Sequence, residues 1–281
     1  MRLRVVLAAV VVLAVLAAVG VYLVARSLRS GLPLQLPTQE CVVTAGGTAT
    51  FDLEQMANAA TIAAVGIRRS LPTQAIVVAL ATAEQESKLE NVRGGDRDSV
   101  GLFQQRPSQG WGDPEQLMDP RYATGKFYDA LLKVKGWQQL TVAQAAQAVQ
   151  HSADGSAYAR WEDKARVLTS ALTGEVGSAV GCTILATPSQ RGPGAATALA
   201  DGMAADWGKV RRVDQPGLVG LALAVDAPRT GWQYAHWLVA HAADQNIQRV
   251  RFGDQVWTVN AAKWGKSDKP SPDHVVAEVY V

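Results

Sequence analysis

The sequence predicts an α+β protein with an N-terminal transmembrane helix, a mostly helical domain and a small α+β C-terminal domain. Three observations predict this organisation. Residues 5–24 carry no charge, residues 51–174 place apolar side chains at helical spacing, and residues 201–281 combine β-like runs with one amphipathic helix. The composition, 48% hydrophobic and 19% charged, is that of a globular chain.

The N-terminal segment is predicted to be a membrane anchor. Residues 5–24 form an uncharged run of 20 residues, long enough to span a bilayer. A cleaved signal peptide is the alternative, but its apolar region is normally about 7–15 residues long. Arg2, Arg4 and the amino terminus outweigh Arg26 and Arg29, so the positive-inside rule favours a single-pass cell-membrane protein with extracytoplasmic domains.

The net charge and the two cysteines bear on the binding partners and on the cellular compartment of the protein. Residues 1–30 contain four arginines and no acids, so the 27 basic and 25 acidic residues become 23 and 25 in the remaining body. This balance argues against a nucleic-acid partner. Export would allow the two cysteines, Cys41 and Cys182, to form a disulfide; two separate buried thiols are the alternative.

Segments rich in Gly, Pro, Ser and Thr mark the predicted connections. Residues 31–50 are interpreted as a tether, with a short strand near Cys41–Thr44, and residues 183–200 as a linker. The predicted divisions are, in chain order, an anchor over 1–30, the tether over 31–50, a helical domain over 51–182, the linker over 183–200 and an α+β domain over 201–281.

Helices of the first domain follow from their start signals and periodicity. Asp52 and Gln55 resemble a capping box and predict a helix over 53–69. Pro72 begins a second helix that is apolar nearly all round, should be buried, and ends near Glu86–Lys88. Further helices are predicted over 114–118, 122–133, 140–152 and 155–174.

The C-terminal domain is predicted from a change of pattern after residue 200. Its helix is "WQYAHWLVAHAADQ", and it holds five of the eight tryptophans. These can fill a small core or stack on sugars. Strands are predicted over Gly217–Val225, Val250–Val259 and Val275–Val281.

Two acids, Glu84 and Glu86, stand at the end of the apolar second helix. A carboxyl group that faces a cleft there is desolvated, which raises its pKa and lets it donate a proton to a glycosidic oxygen. Solvation of a helix terminus is the plain alternative. Residues two apart on a helix face roughly 200° apart, so only one of these acids can face a given cleft.

The stretch that follows carries a family resemblance. Glu86-Ser87 precedes Gly101-Leu102-Phe103-Gln104, with Gln104 eighteen positions after Glu86. This pattern resembles the lytic transglycosylases and goose-type lysozymes of the lysozyme-like superfamily, over residues 51–174. The resemblance implies that Glu86 is the catalytic acid/base, Ser87 a neighbouring hydroxyl, and Gln104, with Gln105 beside it, a sugar-binding amide.

Later helices supply further expected contacts. Family members carry an "AYNAG"-like stretch, and "AVQHS" here places Gln150 where an Asn would stand, a departure from the pattern. Tyr158 is expected to line the same cleft wall, or to be a packed helix tyrosine. Asp96 and Asp98 could serve as a second acid or as calcium ligands, although a solvated turn explains them too.

The resemblance implies a reaction with a single carboxylate. Such enzymes cut the bond after N-acetylmuramic acid in peptidoglycan glycan strands and need no metal or organic cofactor. A lysozyme-like glycoside hydrolase is the alternative enzymatic interpretation. A catalytically inactive peptidoglycan-binding or cell-envelope assembly protein on the same fold is the alternative outside enzymology.

The C-terminal region is similar to degenerate domains of actinobacterial cell-wall proteins that are related to zinc D-Ala-D-Ala peptidases. Asp226 and Asp273-His274 match that pattern, but no His precedes Asp226 and Val276 stands at the last His position. Zinc catalysis needs three protein ligands and an open position. We therefore expect a non-catalytic domain without a metal.

Overall fold

The computed structural model describes residues 13–24, residue 26 and residues 38–281. Residues 13–24 are helical. Within these described ranges, no helix has both the length and the apolar character that crossing a bilayer requires. Residues 1–12, 25 and 27–30 of the predicted anchor and residues 31–37 of the predicted tether lie outside the described residues, so the anchor stays a prediction. Gln39–Val281 form one compact α+β unit.

A small antiparallel sheet begins this unit. Strands β1 (Glu40–Thr44), β2 (Thr48–Phe51) and β3 (Val180–Thr183) lie in the order β2-β1-β3. Cys41 and Cys182 face each other across β1 and β3 and form a disulfide, which confirms the predicted pairing. The bond closes a loop with a sequence separation of 141 residues, and in the chain-entropy model this stabilises the fold by about 5 kcal/mol.

The short strand predicted near Cys41–Thr44 is confirmed as β1, but the predicted tether missed β2, which pairs with β1 in this sheet. Burial alternates along β1, where Cys41 and Val43 are buried and Val42 and Thr44 are exposed. That two-residue period is the mark of a half-buried strand. The pairing of β1 with β3 was not predicted because β3 lies far along the chain, where local composition carries no information about it.

The helical part confirms most of the predicted helices. In α1 the capping box is present, with Asp52 Oδ1 accepting from Gln55 N at 2.8 Å. Helix α2 is buried along residues 75–84 and lies at the centre. The last predicted helix divides into a 3₁₀ turn, Gly155–Trp161, and α6. The helices are α1 (Leu53–Arg68), α2 (Thr73–Ser87), α3 (Pro114–Leu117), α4 (Pro120–Lys133), α5 (Val142–Gln150) and α6 (Glu162–Leu172).

The C-terminal part contains the three predicted strands. They form an antiparallel sheet in the order β4-β6-β5, and helix α8 packs against β5 and β6. Of the five tryptophans, Trp237 and Trp257 are fully buried, and the other three are buried or partly buried. The elements are α7 (Gly192–Trp207), β4 (Gly220–Ala224), α8 (Pro228–Ala240), β5 (Ile247–Thr258) and β6 (Trp264–Val279).

Helix α7 corrects the predicted linker, since residues 192–200 are helical. Pro193 occupies the first turn, where its missing N–H costs no hydrogen bond. The sequence then continues as "GAATALADGMAADW", rich in the strong helix former Ala. The Pro and Gly residues therefore mark the start of a helix rather than a disordered connection.

A buried polar cluster joins the helical part to the C-terminal part. Asp206 on α7 is fully buried and its Oδ2 accepts hydrogen bonds from Thr61 Oγ1 at 2.8 Å and Trp237 Nε1 at 2.7 Å. Arg121 Nε lies 2.5 Å from Asp206 Oδ1. A buried carboxylate is costly unless it is paired in this way. The two parts therefore share a core, and the predicted division into two domains stays a prediction.

Candidate active site

The end of helix α2 is held in place by the chain that follows it. Lys88 and Leu89 adopt left-handed backbone angles, with φ of 59° and 63°. The Leu89 N–H donates to Ala83 O at 3.2 Å, and Leu89 O accepts from Asn58 Nδ2 on α1 at 2.7 Å. Such a terminus satisfies helix carbonyls. It places Glu86 in the last turn at a fixed position relative to α1.

The two acids of this helix have different surroundings. Glu84 is 4% exposed, and its Oε1 lies 2.9 Å from Lys164 Nζ on α6. Lys164 also lies over the Phe51 ring, 4.3 Å from its centroid. Glu86 is half-buried and lines a cleft. One carboxylate is therefore committed to an ion pair in the interior, and the other borders a space that a ligand can occupy.

Tyr158 is the hydrogen-bond partner of Glu86. Its hydroxyl donates to Glu86 Oε1 at 2.6 Å, and its ring is 1% exposed. Burial raises the pKa of Tyr158, and the hydrogen bond to Glu86 raises it further. The phenol therefore keeps its proton at neutral pH and remains the donor. In the described part of the chain Oε2 of Glu86 has no hydrogen-bond partner.

The Gly101-to-Gln104 segment lies beside the end of α2. Ser87 Oγ donates to Leu102 O at 2.8 Å and so ties the helix to this segment. Gly101 has a φ of 76°, and a Cβ there would lie 2.3 Å from Leu117 O. Both the backbone angle and the close approach require glycine. Ser87 thus acts through the backbone of the motif rather than from the cleft surface.

Three of the glutamines that line the cleft donate to backbone carbonyls. Gln104 Nε2 donates to Gly101 O at 3.1 Å, and Gln150 Nε2 donates to Phe103 O at 2.8 Å. Gln105 is 2% exposed and donates to Ala123 O on α4 at 3.2 Å. These bonds fix the amides next to Glu86 on one cleft. Gln104 and Gln150 are partly exposed, whereas Gln105 is mainly an anchor to α4.

The cleft has a volume of about 960 Å³. The sequence analysis did not single out several of its lining residues, and most of these come from segments without a motif. One local signal is the Gly-rich "QGWGDP", which holds Trp111 between two glycines. The missed polar and aromatic residues that line the cleft are Gln85, Ser99, Arg106, Gln109, Trp111, Lys133, His151 and Ser152.

The acids of the Gly94–Asp98 turn are engaged within their own loop. Asp96 Oδ2 lies 2.8 Å from Arg106 Nη2. Asp98 accepts hydrogen bonds from Ser108 N at 2.8 Å and Ser108 Oγ at 3.0 Å, and these bonds lower the pKa of Asp98. In the ranges that the structure describes, no three His, Cys, Asp or Glu residues cluster as a metal site would require.

The residues of the predicted degenerate zinc site lie on or next to the second sheet. Asp226 is exposed and forms an ion pair with Arg211, and His274 lies opposite Ala224 on neighbouring strands. His236 and His241 are both buried on or next to α8 and hydrogen-bond to protein groups. The two helix histidines therefore serve packing.

No family model matches this chain, and no curated protein matches it in sequence. Assignment of a function therefore rests on the geometry of the cleft and on the motif resemblance.

Proposed function

We propose that this chain is a peptidoglycan-cleaving glycosidase of the lytic transglycosylase type. In this proposal residues 5–24 anchor it in the cell membrane, and the folded part acts on glycan strands outside the cytoplasm. The single observation that carries the proposal is the setting of Glu86: a half-buried acid on a cleft of about 960 Å³, with one oxygen held by Tyr158. A cleft of this volume can hold a ligand beside the acid.

The first step is protonation of the leaving oxygen. With Tyr158 donating to Oε1, the Glu86 proton resides on Oε2, the oxygen available to a substrate. Transfer of this proton to the glycosidic oxygen after N-acetylmuramic acid lets the bond from C1 to that oxygen break. Glu86 becomes a carboxylate, and the Tyr158 hydrogen bond stabilises the new charge.

The second step uses the sugar's own hydroxyl. The Glu86 carboxylate accepts the proton of the 6-hydroxyl as that oxygen attacks C1, which closes a 1,6-anhydro ring and restores the acid. No water is consumed, and no second carboxylate is needed. Ordinary glycosidases position two acids, but here Asp96, the other carboxylate on the cleft, is paired with Arg106. The proposed reaction draws on no metal or organic cofactor.

An inactive peptidoglycan-binding or envelope assembly protein is the second candidate. The observation that favours it is Gln150, which stands in the place of the family Asn and donates its amide to Phe103 O. The bond leaves less of this side chain for a substrate. The C-terminal part is proposed to be non-catalytic under either function.

The chemistry of the released fragments tests the proposal. Peptidoglycan is incubated with the purified full chain, and the soluble fragments are analysed by mass spectrometry. We expect 1,6-anhydro ends, since the mechanism uses an internal nucleophile. Reducing ends would show that the chain is a hydrolase rather than a lytic transglycosylase. Binding to peptidoglycan without release of any fragment would show that the chain is an inactive peptidoglycan-binding protein.

A further inference from the structure

One cation on the cleft wall has no partner among the residues that the structure describes. Arg106 is paired with Asp96 at 2.8 Å, and Glu86 accepts a hydrogen bond from Tyr158. Lys133 lines the same cleft, is exposed, and has no hydrogen-bond or ion-pair partner in the part of the chain that the structure describes. A cation is therefore left on the wall without an anion of the protein to match it.

Lys133 stands next to an apolar surface. Ala130 and Lys133 lie one turn apart at the end of α4, Val134 is the residue that follows the helix, and all three line the cleft. Trp111 is a further lining residue and is only partly buried. This combination offers an aromatic and aliphatic surface for a sugar ring and a positive charge for a substituent of that ring.

His151 is a second polar side chain on the cleft without a hydrogen-bond partner among the described residues. It follows the last residue of α5 with a φ of 52°, lines the cleft and is exposed. Unlike Gln104, Gln105 and Gln150, Lys133 and His151 are thus both available to a ligand.

We propose that Lys133, assisted by His151, recognises a carboxylate carried by a substituent of the glycan, so that the cleft selects acidic strands over a neutral N-acetylglucosamine polymer. The inference rests on the proposed function. In peptidoglycan the carboxylate has two sources: the lactyl group of a muramic acid without a peptide, and the stem peptide where one is attached. Both present the same group to an ammonium ion.

Binding to the full chain carrying Glu86→Gln tests this without turnover. Its dissociation constants are measured for peptide-bearing glycan fragments, for strands freed of peptides, and for neutral N-acetylglucosamine oligomers. Lys133→Ala, added to that protein, is expected to weaken binding of the acidic ligands about two- to fivefold, as for one exposed ion pair. Binding of the neutral oligomers should weaken less. Lys133→Arg should restore affinity, and added salt should reduce the difference.

The matched control is Lys135→Ala, because Lys135 is also exposed but does not line the cleft. It should leave all three constants unchanged. A loss confined to peptide-bearing fragments would identify the stem peptide as the source, and a loss confined to the peptide-free strands would identify the lactyl carboxylate. A loss for both acidic ligands would show that Lys133 binds either carboxylate. An equal effect on all three ligands, or none, would overturn the proposal. Failure of the proposed function shows separately, as absent release by the wild-type chain.

Discussion

At the residue scale, the sequence separates two neighbouring acids by their angular positions. Glu84 and Glu86 are two residues apart, and helix geometry alone requires them to face different directions. The structure pairs Glu84 with Lys164 and places Glu86 on the cleft. The partners themselves were not predictable, since Lys164 comes from a helix about eighty residues later. Tyr158 was expected on the cleft wall, and it lies behind Glu86.

Removal of the Tyr158 hydroxyl tests the role of that hydrogen bond. In Tyr158→Phe, Glu86 Oε1 loses its donor at 2.6 Å. A hydrogen bond to a charged group contributes about 1.5–3 kcal/mol. We therefore expect kcat for muropeptide release to fall about ten- to a hundredfold, with a smaller change in KM.

The control for this variant is Tyr128→Phe. Tyr128 is also buried and has a single hydrogen bond from its hydroxyl, to Ile62 O at 3.1 Å, but it does not line the cleft. Its loss should lower the free energy of unfolding and leave kcat unchanged. Equal kcat values for the two variants would show that the Tyr158 hydroxyl does not contribute to catalysis.

At the element scale, the helices and strands that have a local sequence signal were predicted correctly. The pairing between distant strands was not predicted. The capping box of α1, the apolar run of α2 and the β-like runs of β4 to β6 each lie within a short stretch of consecutive residues. The pairing of β1 with β3 depends on residues more than 130 positions apart. Helix α7 was missed because Pro and Gly residues that start a helix were interpreted as a linker.

The buried His236 is expected to make the stability of the fold depend on pH. Its ring is buried on α8, accepts from Ala179 N at 3.0 Å and bonds to Ala171 O at 2.8 Å. Burial lowers the pKa of His236 to about 4, below about 6.5 in an unfolded chain. The unfolded state therefore binds more protons between these values. We expect this residue to contribute about 3 kcal/mol of stability above pH ~6.5 that is lost as the pH falls towards 4.

Denaturant unfolding across this pH range measures the effect. His236→Gln should flatten the acid side of the profile. His241 provides the matched control: burial alone would lower its pKa, but Asp244 and Asp206 outweigh burial and raise it. Its contribution is present below pH ~6.5 and lost as the pH rises through the folded pKa. His241→Gln should therefore leave the acid side intact. An unchanged acid slope in His236→Gln would contradict this assignment.

At the scale of the whole molecule, the residues from Gln39 onward form one unit. The α+β class followed from the sequence, because helical spacing and β-like runs occupy separate stretches of chain. The packing of the parts was not predictable, because Asp206, Thr61 and Arg121 meet from three distant segments. In the candidate site, the motif residues were predictable, whereas Lys133 at the end of α4 belongs to no motif.

The most direct test of the account is the rate of muropeptide release by Glu86→Gln compared with the wild-type chain. Glutamine preserves the shape of the side chain and can still accept from Tyr158, but it cannot donate or accept the catalytic proton. General acid–base catalysis contributes about 10²–10⁴-fold. We expect release to fall by at least the lower figure while thermal unfolding stays that of a folded protein. Undiminished release by a folded Glu86→Gln protein would contradict the central claim.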